Sequence, residues 1–454
     1  MSKKLLILLS FFFVISGCGG DSSNSDQDSE DSTEQPTEPI SLSSTTLPAV
    51  DGRELITDIA STDLNQDGIN DLILVRVGSG YSEDAYFQAL INDGNDSFED
   101  KTDLYFASLN FQGYSWVEKI YLVDLNNDGK LDIVSHHDQL PSNLVKPMIQ
   151  NTDGQFEFIN LDSFEGIGSF VPVDADNDGD IDLMAHSIDN FGDSVERTLS
   201  WTLLINNLVE TDSMTFSLGT GSISSFKGVD TSTFIYSPVI FDLNFDGLDD
   251  VFYGGPKYVN GFINELIPFT TLVNAGEQSF IDQSDSVIVG SEGLTHVREI
   301  SAADFNGDSF IDVLVSSHGY DGGNFPGEKN QLLIADGTGK LIVDDTMQQA
   351  FNYKGFTHSH DVGDIDGDGD IDIVFSDITG ADIDGQNVIQ ILVNDGNANF
   401  SRRSTSVEVG SDSAFIVSTK LVDLNADGFI DLVVGGDDLR HPGVIVWNDG
   451  AGSF

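Results

Sequence analysis

The sequence has very few cysteines and few basic residues. Cys18 is the only cysteine in 454 residues, so a disulfide within the chain is excluded. Lysine and arginine number 19 against 76 aspartates and glutamates, which gives a formal net charge of −57. A chain this acidic repels nucleic acids and anionic lipid surfaces, and both are excluded as partners. Acidic polysaccharides are disfavoured, since only bridging cations would hold them.

The sequence also lacks an apolar run long enough to span a membrane. The run 5–15 follows two lysines and has the length of a signal-peptide core. The run ends in ISGC, which resembles the lipobox of bacterial lipoproteins. This resemblance implies a signal peptide of residues 1–17, a lipidated Cys18 and, from Gly19, an outer-membrane location. The alternative is a plain secretory signal with an incidental cysteine.

Residues 18–39 have no basic residue and almost nothing apolar. Seven acidic residues repel one another in this segment, so we expect a disordered tether that starts at the lipidated cysteine. Its extended length is at most roughly 70 Å. The folded body is expected to span 40–454, which is long for a single packed core and favours a repeat architecture.

An acidic nine-residue word recurs seven times in this body, with first aspartates 50 to 68 residues apart. The copies are DLNQDGIND (63–71), DLNNDGKLD (124–132), DADNDGDID (174–182), DLNFDGLDD (242–250), DFNGDSFID (304–312), DIDGDGDID (364–372) and DLNADGFID (423–431). We call each copy an acidic loop and number its positions 1 to 9. Seven copies at this period indicate seven structural units.

Each unit reads as four short antiparallel strands. A short apolar strand follows every acidic loop, and most units then show an apolar run, a tight turn such as Asn-Asp-Gly and a phenylalanine, as in ILVNDGNANF. Asn, Asp and Gly tolerate the positive φ angles that tight hairpins require. In the third unit the turn is degenerate, LLINNLVETDSMTF. Four strands per 60-residue unit, with no amphipathic helix, predict an all-β, seven-bladed β-propeller of four-stranded antiparallel blades.

The last unit offers only three strand signals before Phe454, while ISLSSTTLPAV at 40–50 precedes the first acidic loop without a unit of its own. We therefore expect this N-terminal segment to supply the outer strand of the seventh blade and so to close the ring without a disulfide.

The combination of D-x-[DN]-x-D-G-x-x-D, a strand and N-D-G-x-x-x-F resembles the FG-GAP or VCBS repeat of bacterial surface proteins. That repeat is related to the seven-bladed propeller of integrin α subunits. The resemblance covers essentially residues 40–454. It implies a cell-surface adhesion or ligand-binding module for extracellular protein or glycan, with its ligand on the face opposite the acidic loops.

The chemistry of the acidic loops predicts calcium binding at up to seven sites. Side-chain oxygens at positions 1, 3 and 5, a carbonyl at position 7 and a carboxylate at position 9 suit a hard, flexible cation. The predicted ligands are Asp63, Asn65, Asp67, Ile69, Asp71; Asp124, Asn126, Asp128, Lys130, Asp132; Asp174, Asp176, Asp178, Asp180, Asp182; Asp242, Asn244, Asp246, Leu248, Asp250; Asp304, Asn306, Asp308, Phe310, Asp312; Asp364, Asp366, Asp368, Asp370, Asp372; and Asp423, Asn425, Asp427, Phe429, Asp431.

Glycine at position 6 permits the sharp turn of the loop, and only the fifth copy departs from it, with Ser309. That site is expected to be weak or empty. An EF-hand is excluded, because it needs a glutamate at position 12 and flanking helices, and no copy has an acid there. The remaining alternative is that the loops are Asp- and Asn-rich hairpin turns without a cation.

All eight histidines fall at the end of the blades opposite the acidic loops. His318, His358 and His360 are the sharpest group. His358 and His360 are two residues apart on a strand expected to line the central channel, so their side chains should point the same way. The three could bind a transition metal or act as acid and base, and the alternative is that they are packing residues at the channel mouth.

Two functions remain open. One is a lipid-anchored, calcium-stabilised adhesion or ligand-binding module. The other is a carbohydrate-active propeller enzyme of the lyase or dehydratase type, with its site at the histidines. The sequence contains no nucleophile elbow, phosphate-binding loop or zincin helix, which favours the first.

Overall fold

A computed structural model describes residues 44–78, 84–111, 116–136, 146–161, 164, 167–188, 199–224, 235–255, 265–320, 327–344, 354–377, 389–403, 416–436, 443–448 and 450. The expected signal peptide, Cys18 and the acidic tether lie outside these residues. Within them, no helix combines the length and the apolar character needed to cross a membrane.

The regular secondary structure of the described chain is almost entirely β-strand, and the strands pair antiparallel within the blades, with one parallel exception in blade five. Strand β1 (Ser44–Thr46) comes first. The first four blades contain β2 (Leu55–Thr62), β3 (Asp71–Val77), β4 (Tyr86–Asn92), β5 (Phe98–Asp100); β6 (Lys119–Val123), β7 (Asp132–His136), β8 (Met148–Gln150), β9 (Phe156–Phe158); β10 (Ile167–Val173), β11 (Asp182–Ile188), β12 (Leu199–Asn206), β13 (Phe216–Leu218); and β14 (Tyr236–Phe241), β15 (Asp250–Gly254), β16 (Thr270–Asn274), β17 (Phe280–Asp282).

The remaining strands form three further blades. They are β18 (Ile288–Val289), β19 (Val297–Ala303), β20 (Asp312–Ser317), β21 (Gln331–Ala335), β22 (Leu341–Asp344); β23 (Thr357–Gly363), β24 (Asp372–Asp377), β25 (Ile389–Asn394), β26 (Phe400–Arg403); and β27 (Thr419–Val422), β28 (Asp431–Val434), β29 (Val444–Val446). The described residues also include three single-turn helices: α1 (Thr102–Tyr105), α2 (Leu208–Thr211) and α3 (Ser284–Val287).

The seven blades form a closed ring, as predicted. The first strand of each blade contacts the first strand of the next, in the order β2, β6, β10, β14, β19, β23 and β27, and β27 contacts β2 again. Both faces of a blade therefore pack against neighbouring blades. This explains why β3, with every residue buried, has the unbroken apolar run 72–75 instead of an alternating pattern.

The predicted closure by the N-terminal strand is confirmed. Strand β1 pairs antiparallel with β29, placing Thr45 opposite Ile445, and it becomes the outer strand of the seventh blade. The segment that follows is held by Arg76, whose fully buried guanidinium donates to the carbonyl oxygens of Pro48 at 3.0 Å and Arg53 at 3.3 Å. Residues 44–53 are thus fastened to both the last blade and the first.

Blade five departs from the expected four strands. Strand β18 adds a fifth, parallel strand beside β22, pairing Ile288 with Leu341. The segment is only two residues long and lies directly after α3, so no alternating pattern in the sequence distinguishes it from a connection.

Leu47 offers a test of the closure. Its side chain is 1% exposed and packs between the first and last blades with Ile56 and Ile445. We expect Leu47→Ala to lower the free energy of unfolding by about 2–5 kcal/mol, because truncation leaves a cavity at the seam. Chemical denaturation measures this, with exposed Thr46→Ala as the control. Equal effects of the two variants would contradict a closure that depends on this segment.

Candidate calcium loops and the opposite end of the ring

The seven acidic loops lie at one end of the ring, which we call the loop end. Positions 1 to 8 form the whole connection between the first and second strands of each blade, so all seven connections have eight residues. The aspartate at position 9 is the first residue of the second strand. Seven connections of equal length indicate a shared geometric constraint on the loop.

Side-chain oxygens in each loop turn inward to the backbone. In the first loop, Asp63 accepts hydrogen bonds from the N–H groups of Asp67 at 3.0 Å and Gly68 at 2.8 Å. The amide oxygen of Asn65 also accepts from the N–H of Asp67, at 2.9 Å. Asp67 in turn accepts from the N–H of Ile69 at 2.9 Å. The loop therefore gathers the oxygens of positions 1, 3 and 5 on its inner side, where a cation would bind.

Position 9 has a structural role that the sequence did not reveal. In all seven blades this aspartate is buried, and its carboxylate accepts two backbone N–H groups, one from position 2 of its own loop and one from the third strand or, in the last blade, from Asn448 just after that strand. For Asp132 the donors are Leu125 at 2.9 Å and Gln150 at 2.7 Å. The side chain thus ties the loop to the blade independently of any cation.

Burial sets the ionisation of these carboxyl groups. Desolvation raises the pKa of Asp71 to about 6 and that of Asp182 to about 8, against the opposing effect of the two N–H donors. A divalent cation held in the loop would favour the charged form of both groups.

The donor sets of two loops meet the geometric requirement of a cation site most closely. Asp174, Asp176 and Asp182 each offer an oxygen within 4.8 Å of the others, and so do Asp364, Asp366 and Asp372. One oxygen each of Asp174, Asp176 and Asp366 is buried without a hydrogen-bond donor. Buried carboxylate oxygens without donors are what an oxygen-preferring cation would satisfy, so these residues fit calcium. Ligation by all the predicted residues stays a prediction.

Ser309 keeps the loop geometry that glycine gives elsewhere. Its φ is 71°, and its N–H donates to Asp304 at 2.8 Å, as the N–H of Gly68 does to Asp63. A weaker fifth site would therefore reflect strain in the loop and not a different loop conformation.

We expect Ser309→Gly to raise the free energy of unfolding by about 1 kcal/mol, because glycine removes the penalty of a left-handed residue. Thermal denaturation measures this, and Ser97→Gly, at an exposed turn residue outside the left-handed region, is the control. A loss of stability in both variants would contradict strain at position 6.

Position 4 is a second left-handed residue, and the sequence gives little sign of it. Its φ is positive in all seven loops, including 62° at Gln66 and 62° at Phe245, although only Gly307 and Gly367 are glycines. The network of inward-turned side chains imposes this conformation even on Gln66 and Phe245, which do not favour it.

An asparagine at or just after the end of the third strand joins neighbouring blades in five of the seven units. Its buried side-chain amide donates to the carbonyl at position 2 of the preceding blade's loop. The five bonds are Asn92 to Leu424 at 2.6 Å, Asn206 to Leu125 at 2.9 Å, Asn274 to Ala175 at 3.3 Å, Asn394 to Phe305 at 2.7 Å and Asn448 to Ile365 at 2.8 Å. In the other two blades Gln150 and Ala335 occupy this place. The sequence had indicated turn chemistry only.

Asn92 links the first blade to the last, since the carbonyl group that accepts its hydrogen bond belongs to Leu424 in the seventh acidic loop. Asn92→Ala removes its bonds to Leu424 and, at 3.0 Å, to Asn70. We expect a loss of about 1–3 kcal/mol in the free energy of unfolding, because buried carbonyl groups lose their donor. Chemical denaturation is the measurement and exposed Asn95→Ala the control; a loss no larger than that of the control would contradict the role.

The end of the ring opposite the acidic loops is the variable end, because its connections differ in length. The connections between second and third strands range from eight residues at 78–85 to fifteen at 255–269. His296, His318 and His358 lie at this end. Their rings are buried in one stack: His318 is 3.8 Å from His296 and 4.6 Å from His358 between centroids.

Burial lowers the pKa of His296, His318 and His358 well below the usual 6.5, so the imidazoles are neutral. The rings of His318 and Phe356 also stack, at 4.4 Å. These contacts are those of packing residues. Among the described residues, three clusters of side chains are close enough to hold a metal ion. None of these clusters includes a histidine. Metal binding or catalysis by the predicted trio stays a prediction.

The expected common direction of His358 and His360 needs correction. A register shift between Thr357 and Ser359 makes His358 an extra residue in the strand, so the two rings have different neighbours. His360 lies with its Nδ1 2.9 Å from the hydroxyl of Ser316. A bulge of this kind depends on pairing with the neighbouring strand and leaves no mark in the local sequence.

Charged side chains from opposite blades meet in the centre of the ring. The ammonium of Lys119 in blade two lies 2.5 Å from a carboxylate oxygen of Glu299 in blade five. Beside it, Arg298 pairs with Glu118 at 2.9 Å, and both side chains are at most 7% exposed. Arg298 also covers the ring of Tyr236, with its guanidinium carbon 4.8 Å from the ring centroid. These pairs connect blades that are not neighbours, which no local pattern could show.

A family described as FG-GAP-like repeat matches residues 63–135, 304–375 and 364–434. The first match spans the first two acidic loops, and the other two span the last three. The search of curated proteins gave no significant match.

Proposed function

Since this chain is a seven-bladed β-propeller with FG-GAP-like repeats, we propose that it is a calcium-stabilised binding module for an extracellular protein or glycan. The ligand binds at the variable end of the ring. Calcium acts at the loop end, where it stabilises the fold and takes no direct part in recognition.

The difference between the two ends of the ring is the observation that carries this proposal. All seven first-to-second-strand connections, at the loop end, have eight residues, whereas the second-to-third-strand connections range from eight to fifteen. Uniform connections serve a requirement common to every blade, and connections that differ from blade to blade are the usual location of binding residues on a rigid scaffold. The longest, 255–269 and 318–330, belong to adjacent blades.

The interior beneath these connections supports a rigid platform. The stacked rings of His296, His318 and His358 and the ion pair of Arg298 with Glu118 fill the centre near the variable end. Because these groups are buried, the connections above them and not the histidines would supply the contacts to the ligand. Packed support of this kind lowers the entropy lost on binding.

Calcium would bind in each acidic loop through the oxygens of positions 1, 3, 5 and 7, close to the carboxylate at position 9. Its chemistry there is electrostatic: the cation neutralises carboxylates that repel one another when alone. Extracellular modules hold calcium at roughly 0.1–1 mM, so the fold would depend on an ion supplied by the surroundings.

We further propose that the protein is exported and anchored at the bacterial outer membrane or cell surface through a lipid on Cys18. The proposal rests on the sequence of residues 1–39. A charged tether of this length would hold the folded body away from the membrane. Labelling with a radioactive or alkyne-bearing fatty acid tests it: Cys18→Ser should abolish incorporation.

Binding to arrays of glycans and surface proteins, with and without calcium, tests the ligand-binding proposal. We expect a ligand whose binding is lost when residues 256–264 are replaced by a short Gly-Ser linker. Lys130→Gln, a charge change at the loop end, is the control that should leave binding intact. Binding that survives the linker and is lost in the control would place the ligand at the loop end and overturn the proposal.

A further inference from the structure

Blade three differs from the other blades in the connection that follows its third strand. The other described connections of this kind are tight turns of five residues, but residues 207–215 form a longer connection that includes the helical turn α2. This turn carries Glu210 towards the acidic loop 174–182 of the same blade. A carboxylate thus reaches a loop that already has five aspartates.

Three carboxylates meet at this point, apart from the cluster formed by positions 1, 3 and 9 of the same loop. Asp178, Asp180 and Glu210 each offer an oxygen, and these oxygens lie within 4.8 Å of one another. The group is separate from that of Asp174, Asp176 and Asp182. Three negative charges at this separation repel one another strongly unless a cation or protons intervene.

Asp180 supplies an independent observation, since its side chain is 0% exposed. One carboxylate oxygen accepts the N–H of Val209 at 3.0 Å, which fixes the side chain against α2. The other oxygen is buried and has no hydrogen-bond donor, and the same holds for one oxygen of Asp178. A fully buried carboxylate oxygen without a donor carries a large desolvation penalty, which a bound cation would offset.

Blade six serves as an internal comparison. Asp370 occupies the same loop position as Asp180, and these are the only two aspartates at position 7. In blade six the connection is a tight Asn-Asp-Gly turn, Asp370 is only partly buried, and it belongs to none of the close carboxylate groups found among the described residues. The helical turn of blade three, and not the aspartate alone, therefore makes the buried group.

We propose that Asp178, Asp180 and Glu210 form a second divalent-cation site in blade three, in addition to the cation expected in the acidic loop. The donors are oxygens only, which selects a hard cation, and calcium is the candidate. Asp178 belongs to both sites, so its carboxylate lies between the two cations. This site attaches α2 to the loop end. It does not depend on the ligand-binding function proposed above.

Native mass spectrometry of the full chain, titrated with calcium alone, counts the bound ions directly. We expect Glu210→Gln and Asp180→Asn each to bind one calcium ion fewer than the unmodified protein at saturation. Asp180→Asn keeps the backbone carbonyl that position 7 offers to the loop cation. Glu292→Gln removes an exposed carboxylate at the other end of the ring and should leave the count unchanged.

Circular dichroism of the variants shows whether each remains folded. Exposed Glu210 can be changed with little risk to the fold, so its variant decides the matter if Asp180→Asn misfolds. Equal counts in Glu210→Gln and the unmodified protein would overturn the second site while leaving the loop sites in place. Absence of calcium from the unmodified protein would overturn both, and neither outcome bears on whether the variable end binds a ligand.

Discussion

Chelation of calcium is expected to lower the melting temperature of the ring by about 10 °C or more. At 10 mM calcium, sites with dissociation constants of roughly 0.1–1 mM each contribute about 1.4–2.7 kcal/mol by mass action. Seven such sites together stabilise the folded state by about 10–19 kcal/mol, far more than a single substitution does. In a protein of this size each kcal/mol shifts the melting temperature by only a small amount. Differential scanning calorimetry with calcium and with excess chelator measures the change.

Magnesium in place of calcium is the matched control for this experiment. Magnesium requires a tight octahedral shell and gives up its waters reluctantly, so it should restore much less stability than calcium. Equal melting temperatures with calcium and with chelator would mean that the loops are hairpin turns that need no ion.

Loss of the aspartate at position 9 is expected to produce the second large effect, and to do so with or without calcium. Asp132→Ala leaves the buried N–H groups of Leu125 and Gln150 without an acceptor. Each such group costs about 1–3 kcal/mol, so we expect a loss of about 2–6 kcal/mol in the free energy of unfolding. Chemical denaturation in chelator isolates this loss from any effect on ion binding.

Asp128→Ala in the same loop is the companion variant. Asp128 at position 5 is exposed and accepts a hydrogen bond from the N–H of Lys130 at 2.9 Å. Its loss should matter in calcium and have little effect in chelator. If Asp132→Ala destabilised the protein only in calcium, the carboxylate would act as a ligand alone, contrary to its two backbone bonds.

The pattern of the sequence was sufficient to predict the ring. Seven acidic loops, each followed by an apolar strand, gave the number of blades, and the unassigned N-terminal segment gave the closure that pairs Thr45 with Ile445. These features are local. A turn is recognised from adjacent residues, and a strand is recognised from a short apolar or alternating run. The same locality explains why position 6 was recognised through its glycines.

Contacts between distant residues could not be predicted in this way. Nothing near Asn92 in the sequence indicates that its amide reaches Leu424, and nothing near Lys119 indicates Glu299. The group of Asp178, Asp180 and Glu210 likewise appears only when α2 folds back onto its loop. In a ring, the residues that join blades are separated by one or more whole repeats, so only the assembled structure brings them together.

The most direct test of the central claim is anomalous diffraction from crystals grown in millimolar calcium. We predict a calcium peak inside each acidic loop at the loop end, surrounded by oxygens at about 2.3–2.6 Å, with the weakest peak in the loop that contains Ser309. Loops that contain no ion at that concentration, in an intact seven-bladed ring, would contradict the claim.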